Sequence, residues 1–248
     1  MDYNSKLYIH QLISTIQGEG DLIGVPSILL RLAGCNCRCS WCDTAWSWTS
    51  KGTIEITSEN IDNWLKELNR FNNKTCRNLM ITGGEPFLYA DNPLFNKLLR
   101  YSNFETIEIE TNGSLITNDH LKNLPYNVKL NISPKLDEKW YTLGTKNFHH
   151  MIVMRDAILS YKNSIFKFVD DPQYTKDVED FIKQMNIPNN KIYMMPLTPI
   201  RSKYSDKRDF LDDVKISSLK TLRYCIEKGY TFVPRLHLYL FDNEEEKI

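Results

Sequence analysis

The sequence predicts an α/β fold built around a parallel β-sheet. Apolar, strand-like segments alternate with segments whose apolar residues recur at the spacing of amphipathic helices. Four polar motifs each follow a predicted strand, at residues 35–44, 82–86, 110–113 and 133–135. Parallel strands end at the same edge of a sheet, and the chemistry of such folds sits at that edge. We therefore expect the four motifs to share one site.

The individual elements follow from local patterns. A first strand is predicted over 7–13 and a buried second strand over 27–33, with the glycine-containing turn at 17–20 between them. Residues 57–60 are typical of a helix start, and a helix with one apolar face follows them. Further strands are predicted at 78–82, 105–110, 127–132, 164–169, 191–196 and 230–240. Further helices are predicted to begin at Pro93 and to lie near 175–186 and 212–228.

Composition favours a small-molecule partner. Among 248 residues, 31 are Lys or Arg and 31 are Asp or Glu, so the formal net charge is zero. Nucleic acid is not expected as a partner, because binding to phosphates needs a basic excess or a basic stripe. The sequence has no apolar run of about 18 residues and no signal-peptide pattern. We therefore expect no membrane span and predict a cytoplasmic location.

Four of the six cysteines lie within eight residues, at Cys35, Cys37, Cys39 and Cys42. In a reducing compartment, cysteines this close favour a metal site over disulfides. Structural zinc usually takes two separated ligand pairs, and Cys76 and Cys225 do not form a second pair. Three cysteines on one loop suit an iron–sulfur cubane better. Two trios are possible, because either Cys35 or Cys37 can join the last two cysteines.

Arg31 lies inside the apolar second strand, on the face shared by Leu29 and Ala33. A guanidinium in that position needs an anionic partner, because an unpaired buried charge is costly. From the residues alone, a candidate partner is an internal carboxylate, from Glu19 or Glu85.

The cysteine loop, with Trp41 before its last cysteine, is similar to that of radical S-adenosylmethionine (SAM) enzymes. Residues 82–86, Thr-Gly-Gly-Glu-Pro, resemble the Gly-Gly-Glu motif of that superfamily. More narrowly, six segments resemble motifs of the 7-carboxy-7-deazaguanine synthase family and occur in the same order. They lie at 16–20, 31–36, 42–44, 110–113, 133–135 and 235–237. The resemblance implies a partial, abridged βα barrel. We expect a single radical SAM domain over 1–248, with its core at about 8–240.

The resemblance implies two cofactors at the strand ends. A [4Fe-4S] cluster would be held by Cys35, Cys39 and Cys42, a trio that the family spacing favours over one containing Cys37. SAM would be bound by Trp41, Asp43, Gly84, Glu85, Ser133, Pro134 and Lys135. Trp41 would lie against the adenine or cover the cluster. Glu110 and Asn112 offer further polar groups for SAM.

The implied reaction converts 6-carboxy-5,6,7,8-tetrahydropterin to 7-carboxy-7-deazaguanine with loss of ammonia, in queuosine biosynthesis. The substrate would be bound by Ile16, Gln17, Gly18, Glu19, Arg31 and Thr82. Thr44 resembles the family's magnesium ligand, and Mg²⁺ suits a site completed by substrate and water oxygens. Without the resemblance, Asp43-Thr44 would be interpreted as a loop cap.

Two other functions fit parts of the sequence. A glycyl-radical-enzyme activase shares the cluster loop and the Gly-Gly-Glu-Pro segment, but it leaves the motifs at 17–20 and 43–44 unexplained. A zinc-stabilised binding module would be independent of SAM. For an enzyme of the 7-carboxy-7-deazaguanine synthase family we expect a reducing partner such as flavodoxin or ferredoxin, and a homodimer. Residues 137–163 match no motif, and the tail at 241–248 is expected to be solvated.

Overall fold

One open β-sheet forms the centre of the molecule. The computed structural model describes residues 1–72, 76–142, 144–199 and 204–241. Within them the strands are β1 Leu7–Ile16, β2 Pro26–Leu32, β3 Ile54–Ile56, β4 Asn78–Gly83, β5 Thr106–Thr111, β6 Val128–Ile132, β7 Ser164–Asp170, β8 Ile192–Pro196 and β9 Thr231–Phe232. Their spatial order is β3-β1-β2-β4-β5-β6-β7-β8-β9. Neighbours from β2 to β9 pair parallel, whereas β1 pairs antiparallel with β2 and β3. The described end strands do not pair with each other, so the sheet is a partial barrel, as predicted.

Helices connect most of the parallel strands. In the described ranges they are α1 Ile61–Asn72, α2 Pro93–Tyr101, α3 Asn118–Asn123, α4 Phe148–Val153, α5 Arg155–Ser160, α6 Thr175–Met185, α7 Lys207–Lys228 and α8 Leu236–Leu240. The helix predicted near 212–228 begins earlier, because Asp206 caps it by accepting a 2.6 Å hydrogen bond from the Arg208 amide. None of these helices has the length and apolarity needed to cross a membrane.

The prediction of a final strand over 230–240 is wrong. β9 ends after two residues, and α8 follows it. Pro234 has no N–H and does not extend a strand ladder. The amide of Leu236 instead donates to the carbonyl of Gly18 at 2.9 Å. The chain therefore turns towards the loop after β1 instead of continuing along the sheet edge.

The sequence analysis missed several short elements. The segment 137–163, which matched no motif, carries α4, α5 and a short 3₁₀ helix at Glu138–Trp140. β3 and α3 were not predicted either, and each has six or fewer residues. Segments this short give little periodic signal. The predicted tail lies outside the described residues, except for Phe241.

The two faces of the sheet differ in polarity. The face covered by helices is apolar and fully buried at Ile28, Leu30, Ile81, Ile107, Ile109, Leu130 and Phe166. The inner face carries buried polar side chains at Arg31, Glu108, Asn131 and Lys167. Because side chains alternate along a strand, β5 to β7 point apolar residues at the helices and polar residues inward.

The ends of β2 and β4 approach each other too closely for side chains. A Cβ on Gly84 would lie 1.8 Å from the carbonyl oxygen of Gly34. A Cβ on Gly83, whose φ is +138°, would lie 2.0 Å from the carbonyl oxygen of Leu32. The amide of Gly84 donates to Leu32 at 3.1 Å, and that of Glu85 donates to Gly34 at 2.7 Å. The two glycines thus fasten the end of β4 to the start of the cysteine loop.

We predict that Gly84→Ala lowers the free energy of unfolding by at least about 4 kcal/mol, because the clash is with backbone that cannot move aside. Urea unfolding measures the loss. Gly24→Ala is the control for a glycine without a clash, since Gly24 has a positive φ of +84° but no described atom within 4 Å of a Cβ built on it. It should cost only about 1–2 kcal/mol of backbone strain. Equal losses in the two variants would contradict this prediction.

Candidate active site

The cysteine loop follows β2 at the carboxyl edge of the sheet. Cys35 and Cys42 are partly exposed and Cys39 is buried, all as free thiols. Among the described residues, no three His, Cys, Asp or Glu side chains converge on one metal-ion position. A cubane binds each thiolate through a different iron, so three thiols on one loop fit a cluster better than a single zinc ion. Cys76 and Cys225 pack in the main core, apart from the loop.

Cys37 is the fourth thiol of the loop and differs from the other three. It is 2% exposed, and its Sγ lies 3.6 Å from Asn112 Nδ2. Hydrogen bonds from Cys37 lower the pKa of Cys35 and bring the pKa of Cys39 to about 7. The same hydrogen bonds raise the pKa of Cys37. The hydrogen bonds within the loop therefore make Cys35 and Cys39 easier to deprotonate than Cys37.

Glu85 joins the end of β4 to the end of β5. It is 1% exposed, and its carboxylate accepts hydrogen bonds from Thr111 Oγ1 at 2.5 Å and from the amides of Asn112 and Phe87 at 2.6 and 2.9 Å. Burial raises the pKa of Glu85. Asn112 in turn donates to Asn36 Oδ1 at 2.8 Å. The motifs at 82–86 and 110–113 thus brace the cysteine loop.

Three of the residues expected to bind SAM meet beside the loop. Lys135 Nζ lies 5.1 Å from the centroid of the Trp41 ring and donates to Ser133 Oγ at 3.0 Å. This cation–π contact joins the end of β6 to the cysteine loop. Pro134 between them is buried.

Thr44 occupies the N-cap position of the short 3₁₀ helix Ala45–Trp48, and its carbonyl accepts from the Ser47 amide at 2.8 Å. Asp43 Oδ2 accepts a 2.7 Å hydrogen bond from Arg235 Nη2. The Thr44 hydroxyl does not cap the short 3₁₀ helix Ala45–Trp48, and it lies 3.8 Å from Cys42 Sγ.

Arg31 lies on the inner face with 9% exposure. Its Nε donates to Gln11 Oε1 at 2.8 Å, and its guanidinium lies 5.5 Å from the centroid of Trp46. Thr82 is its register partner on β4, so the two side chains share one face. Of the two carboxylates considered as internal partners, Glu85 accepts from groups of the β4 and β5 ends, and Glu19 accepts from Lys167 and Arg235. A third carboxylate, Asp43, is under the influence of Arg31: against the effect of burial, Arg235 and Arg31 lower its pKa.

Glu19 is the centre of a buried ion network. Its carboxylate accepts from Lys167 Nζ at 2.6 Å and from Arg235 Nε at 2.8 Å. Lys167, 4% exposed, also donates to Glu110 Oε2 at 2.8 Å. Burial alone would raise the pKa of Glu19, but the two cations outweigh it and hold the pKa well below its ordinary value. Through the Asp43–Arg235 pair the network reaches the cysteine loop.

Glu108 is a second buried carboxyl on the inner face and is fully buried. Burial, reinforced by Glu110, raises its pKa to about 8. Gln17 Nε2 donates to it, and Asn131 Nδ2 does so at 2.7 Å. Asn131 Oδ1 is buried and has no hydrogen-bond partner within the described ranges. The raised pKa favours the protonated form of Glu108 near neutral pH.

The turn at 16–20 meets the motif at 235–237. Ile16 is the last residue of β1, and the side chain of Gln17 accepts from the Glu19 amide at 3.1 Å. A Cβ on Gly18 would lie 2.2 Å from His237 Nδ1, so the turn and the imidazole are in contact.

Sequence analysis missed three inner-face residues, Glu108, Asn131 and Lys167. The polar–apolar alternation of β5 to β7 is the signal that points to them.

A cysteine loop at the end of a strand in an open parallel sheet defines the radical SAM class. The sequence profile of the Radical SAM superfamily matches residues 30–135. Among solved structures, QueE from Escherichia coli superimposes with a TM-score of 0.64 at 21% identity, over 94% of this chain and 95% of that one. A structure titled native anSMEcpe with bound AdoMet and Kp18Cys peptide gives 0.51 at 18% identity, over 83% and 63% of the two chains. Members of this superfamily use SAM and an iron–sulfur cluster.

Whole-chain relatives identify the family. The 7-carboxy-7-deazaguanine synthase of Hyperthermus butylicus is 32% identical over 238 residues, 95% of this chain and 93% of that protein. The enzyme of the same name from Aquifex aeolicus is 27% identical over 240 residues, 94% and 93% of the two chains. The chain belongs to the 7-carboxy-7-deazaguanine synthase family. Membership of this family favours a 7-carboxy-7-deazaguanine synthase function over the glycyl-radical-enzyme activase and the zinc-stabilised binding module.

The raised pKa of Glu108 predicts a pH-dependent stability. The folded chain binds this proton more tightly than the unfolded chain, whose carboxyl keeps the ordinary value of 4.5. The free energy of unfolding should therefore fall as pH rises from about 4.5 to about 8, and then level off. The total fall should be several kcal/mol at most, since one pKa unit corresponds to about 1.4 kcal/mol. Urea unfolding from pH 5 to 9 should show a flatter profile for Glu108→Gln. The exposed Glu105→Gln is the control, and a wild-type slope retained in Glu108→Gln would contradict the prediction.

Proposed function

We propose that this chain converts 6-carboxy-5,6,7,8-tetrahydropterin to 7-carboxy-7-deazaguanine with loss of ammonia. This is a carbon–nitrogen lyase reaction of queuosine and 7-deazapurine biosynthesis. The observation that carries the proposal is the polar inner face beside the cysteine loop. There Arg31 and Thr82 lie side by side, and Asp43 ties the loop to Arg235 and Glu19. A polar substrate bound on this face would adjoin the cluster ligands.

In this proposal Cys35, Cys39 and Cys42 hold the [4Fe-4S] cluster. When bound, the reduced cluster and SAM supply the radical that removes a hydrogen atom from the substrate. The lowered pKa values of Cys35 and Cys39 support thiolate ligands at these two positions. Cys37, buried and bonded to Asn112, keeps its proton and holds the loop in shape.

The proposed SAM site surrounds the loop. Trp41 and Lys135 are in cation–π contact, and Ser133 and Pro134 directly precede Lys135 in the chain. Gly84 lets the end of β4 come close to the loop, and Glu85 holds β5 against it. Asp43 contributes through its charge and is fixed by Arg235. These residues would bind and orient SAM beside the cysteine loop.

The proposed substrate site lies on the inner face. Arg31 pairs with the substrate carboxylate, and Thr82 adds a hydroxyl beside it. Ile16, Gln17 and Gly18 hold the pterin edge through backbone and amide groups, with Glu19 next to them. Because Gln17 is fixed by Glu108, and Glu19 by Lys167, these groups are oriented before substrate arrives.

We propose that Thr44 is the protein's ligand to a magnesium ion. Its hydroxyl is not used as a helix cap, and it lies beside Cys42. A single hydroxyl suits Mg²⁺, which keeps most of its water and takes further oxygens from the substrate. The ion would orient the substrate carboxylate and stabilise negative charge during the rearrangement.

We further propose a homodimer formed through α7. On its outer face Ile216 and Leu219 are 51% and 46% exposed. Arg208 and Asp212 precede this apolar pair on the helix, and Arg223 and Glu227 follow it. In an antiparallel pair of two copies centred between Ile216 and Leu219, Arg208 would face Glu227 and Asp212 would face Arg223, while Lys215 would face Lys220. The exposed apolar centre, with two of the three charge pairings complementary, supports a second copy as the partner.

The remaining expectations stay proposals. The electron donor would be a flavodoxin or ferredoxin, and the location cytoplasmic. A single domain over 1–248 with its core at 8–240 is supported by one sheet that spans β1 to β9.

The function is tested by anaerobic reconstitution with iron and sulfide, followed by incubation with SAM, Mg²⁺, a reductant and 6-carboxytetrahydropterin. We expect mass spectrometry to detect 7-carboxy-7-deazaguanine, with SAM not consumed in proportion to product. An intact cluster without this product would contradict the specific reaction while leaving the radical SAM class in place.

Matched cysteine variants test the ligand set in the same assay. Cys35→Ala should lose the cluster absorbance and at least about 1000-fold of product formation, because one iron loses its thiolate. Cys37→Ala should keep the absorbance and most of the activity. The opposite pattern would assign the cluster to Cys37, Cys39 and Cys42.

A further inference from the structure

A short segment with no recognised motif covers the cysteine loop. This cover segment, residues 137–142, includes the 3₁₀ helix Glu138–Trp140. The Arg38 amide donates to the Trp140 carbonyl at 2.5 Å, and the Thr142 amide donates to the Asn36 carbonyl at 2.9 Å. Tyr141 forms an isolated antiparallel bridge with Cys37. The cover segment is thus hydrogen-bonded to the loop over several consecutive residues.

Two polar atoms of the cover segment are buried and find no hydrogen-bond partner among the residues that the structure describes. They are the hydroxyl oxygen of Tyr141 and the indole Nε1 of Trp140. Buried donors are nearly always satisfied in folded proteins, because an unmet donor loses its bond to water and gains nothing. Two such donors on consecutive residues point to a missing acceptor at this place.

The surroundings of Tyr141 indicate which acceptor fits. Tyr141 and Trp140 both pack against Cys37 and Cys39, and the backbone of Tyr141 pairs with that of Cys37. The sulfur atoms of the described cysteines do not accept from the Tyr141 hydroxyl. The acceptor that fits beside a loop of cluster ligands is a sulfide of the bound cluster.

We propose that the Tyr141 hydroxyl donates a hydrogen bond to a sulfide of the iron–sulfur cluster. This inference rests on the proposed cluster at Cys35, Cys39 and Cys42. The cover segment then does two things at once. Its aromatic residues exclude water from the loop, and its hydroxyl gives the cluster one directed donor.

The consequence is a tuned reduction potential. The reduced cluster carries one more negative charge, so a donor to sulfur stabilises it more than the oxidised form. Removing the donor makes reduction harder. The hydrogen bond does not take part in the reaction itself, but it sets how readily an electron donor of fixed potential can start it.

Tyr141→Phe removes only the hydroxyl. We expect iron and sulfide contents equal to wild type and a more negative cluster midpoint potential. At a fixed potential near the wild-type midpoint, the reduced-to-oxidised ratio should fall about tenfold, which is about 59 mV for a one-electron couple. Potentiometric titration followed by electron paramagnetic resonance, without SAM or substrate, measures this shift.

Tyr161→Phe is the matched control. Its hydroxyl donates to the Val128 carbonyl at 2.8 Å, at the opposite edge of the sheet. This variant should leave the potential unchanged. An unchanged potential in Tyr141→Phe, or a shift that appears only after SAM is added, would overturn the proposal. A wild-type chain that loads no cluster would instead overturn the proposed function.

A second measurement guards against a Tyr141→Phe variant that fails to fold. Site-specific replacement of Tyr141 by 3-fluorotyrosine keeps the ring and strengthens the O–H as a donor. The midpoint potential should then move in the opposite direction, to a less negative value. A potential equal to that of wild type would overturn the proposal.

Discussion

The ion pairs of Glu19 are the constraint on which the site depends. Lys167 comes from β7 and Arg235 from the segment after β9, yet both reach the loop after β1. Two charges brought out of water are stable only when their geometry and remaining hydrogen bonds are good. Here every charge has a partner, since Lys167 also meets Glu110 and Arg235 also meets Asp43. The sheet is open, so these bonds take the place of strand pairing in joining its two ends.

This arrangement explains why the inner face is polar. A closed barrel of this kind would fill its interior with apolar side chains, whereas this sheet keeps Glu108, Asn131 and Lys167 buried there. The hydrogen bonds of these side chains hold the turn at 16–20 in place. Those of Glu85 and Asn112 hold the cysteine loop. Rigid support of this type lets binding groups stay oriented at little entropic cost. The apolar core between sheet and helices supplies the stability that the polar interior does not.

Much of this was readable in the sequence, but not all of it. The cysteine spacing and the motifs at strand ends located the site, because local patterns carry them. Lys167 and Glu19 are 148 positions apart, and no local pattern shows that they meet. The strand predicted over 230–240 was wrong because its apolar run outweighed Pro234. The cover segment had no periodicity, and its importance lies in two donors whose burial only the fold reveals.

The free energy of unfolding of Lys167→Met, measured in urea at pH 7, tests this dependence on the ion pairs most directly. Removing the cation leaves Glu19 and Glu110 buried with fewer partners, so we expect a loss of about 3–5 kcal/mol. Lys6→Met is the matched control, because Lys6 pairs with Glu55 at 2.7 Å on the exposed surface. That change should leave the free energy of unfolding close to that of wild type, because exposed ion pairs contribute little. Equal losses in the two variants would contradict the role given to the Glu19 network.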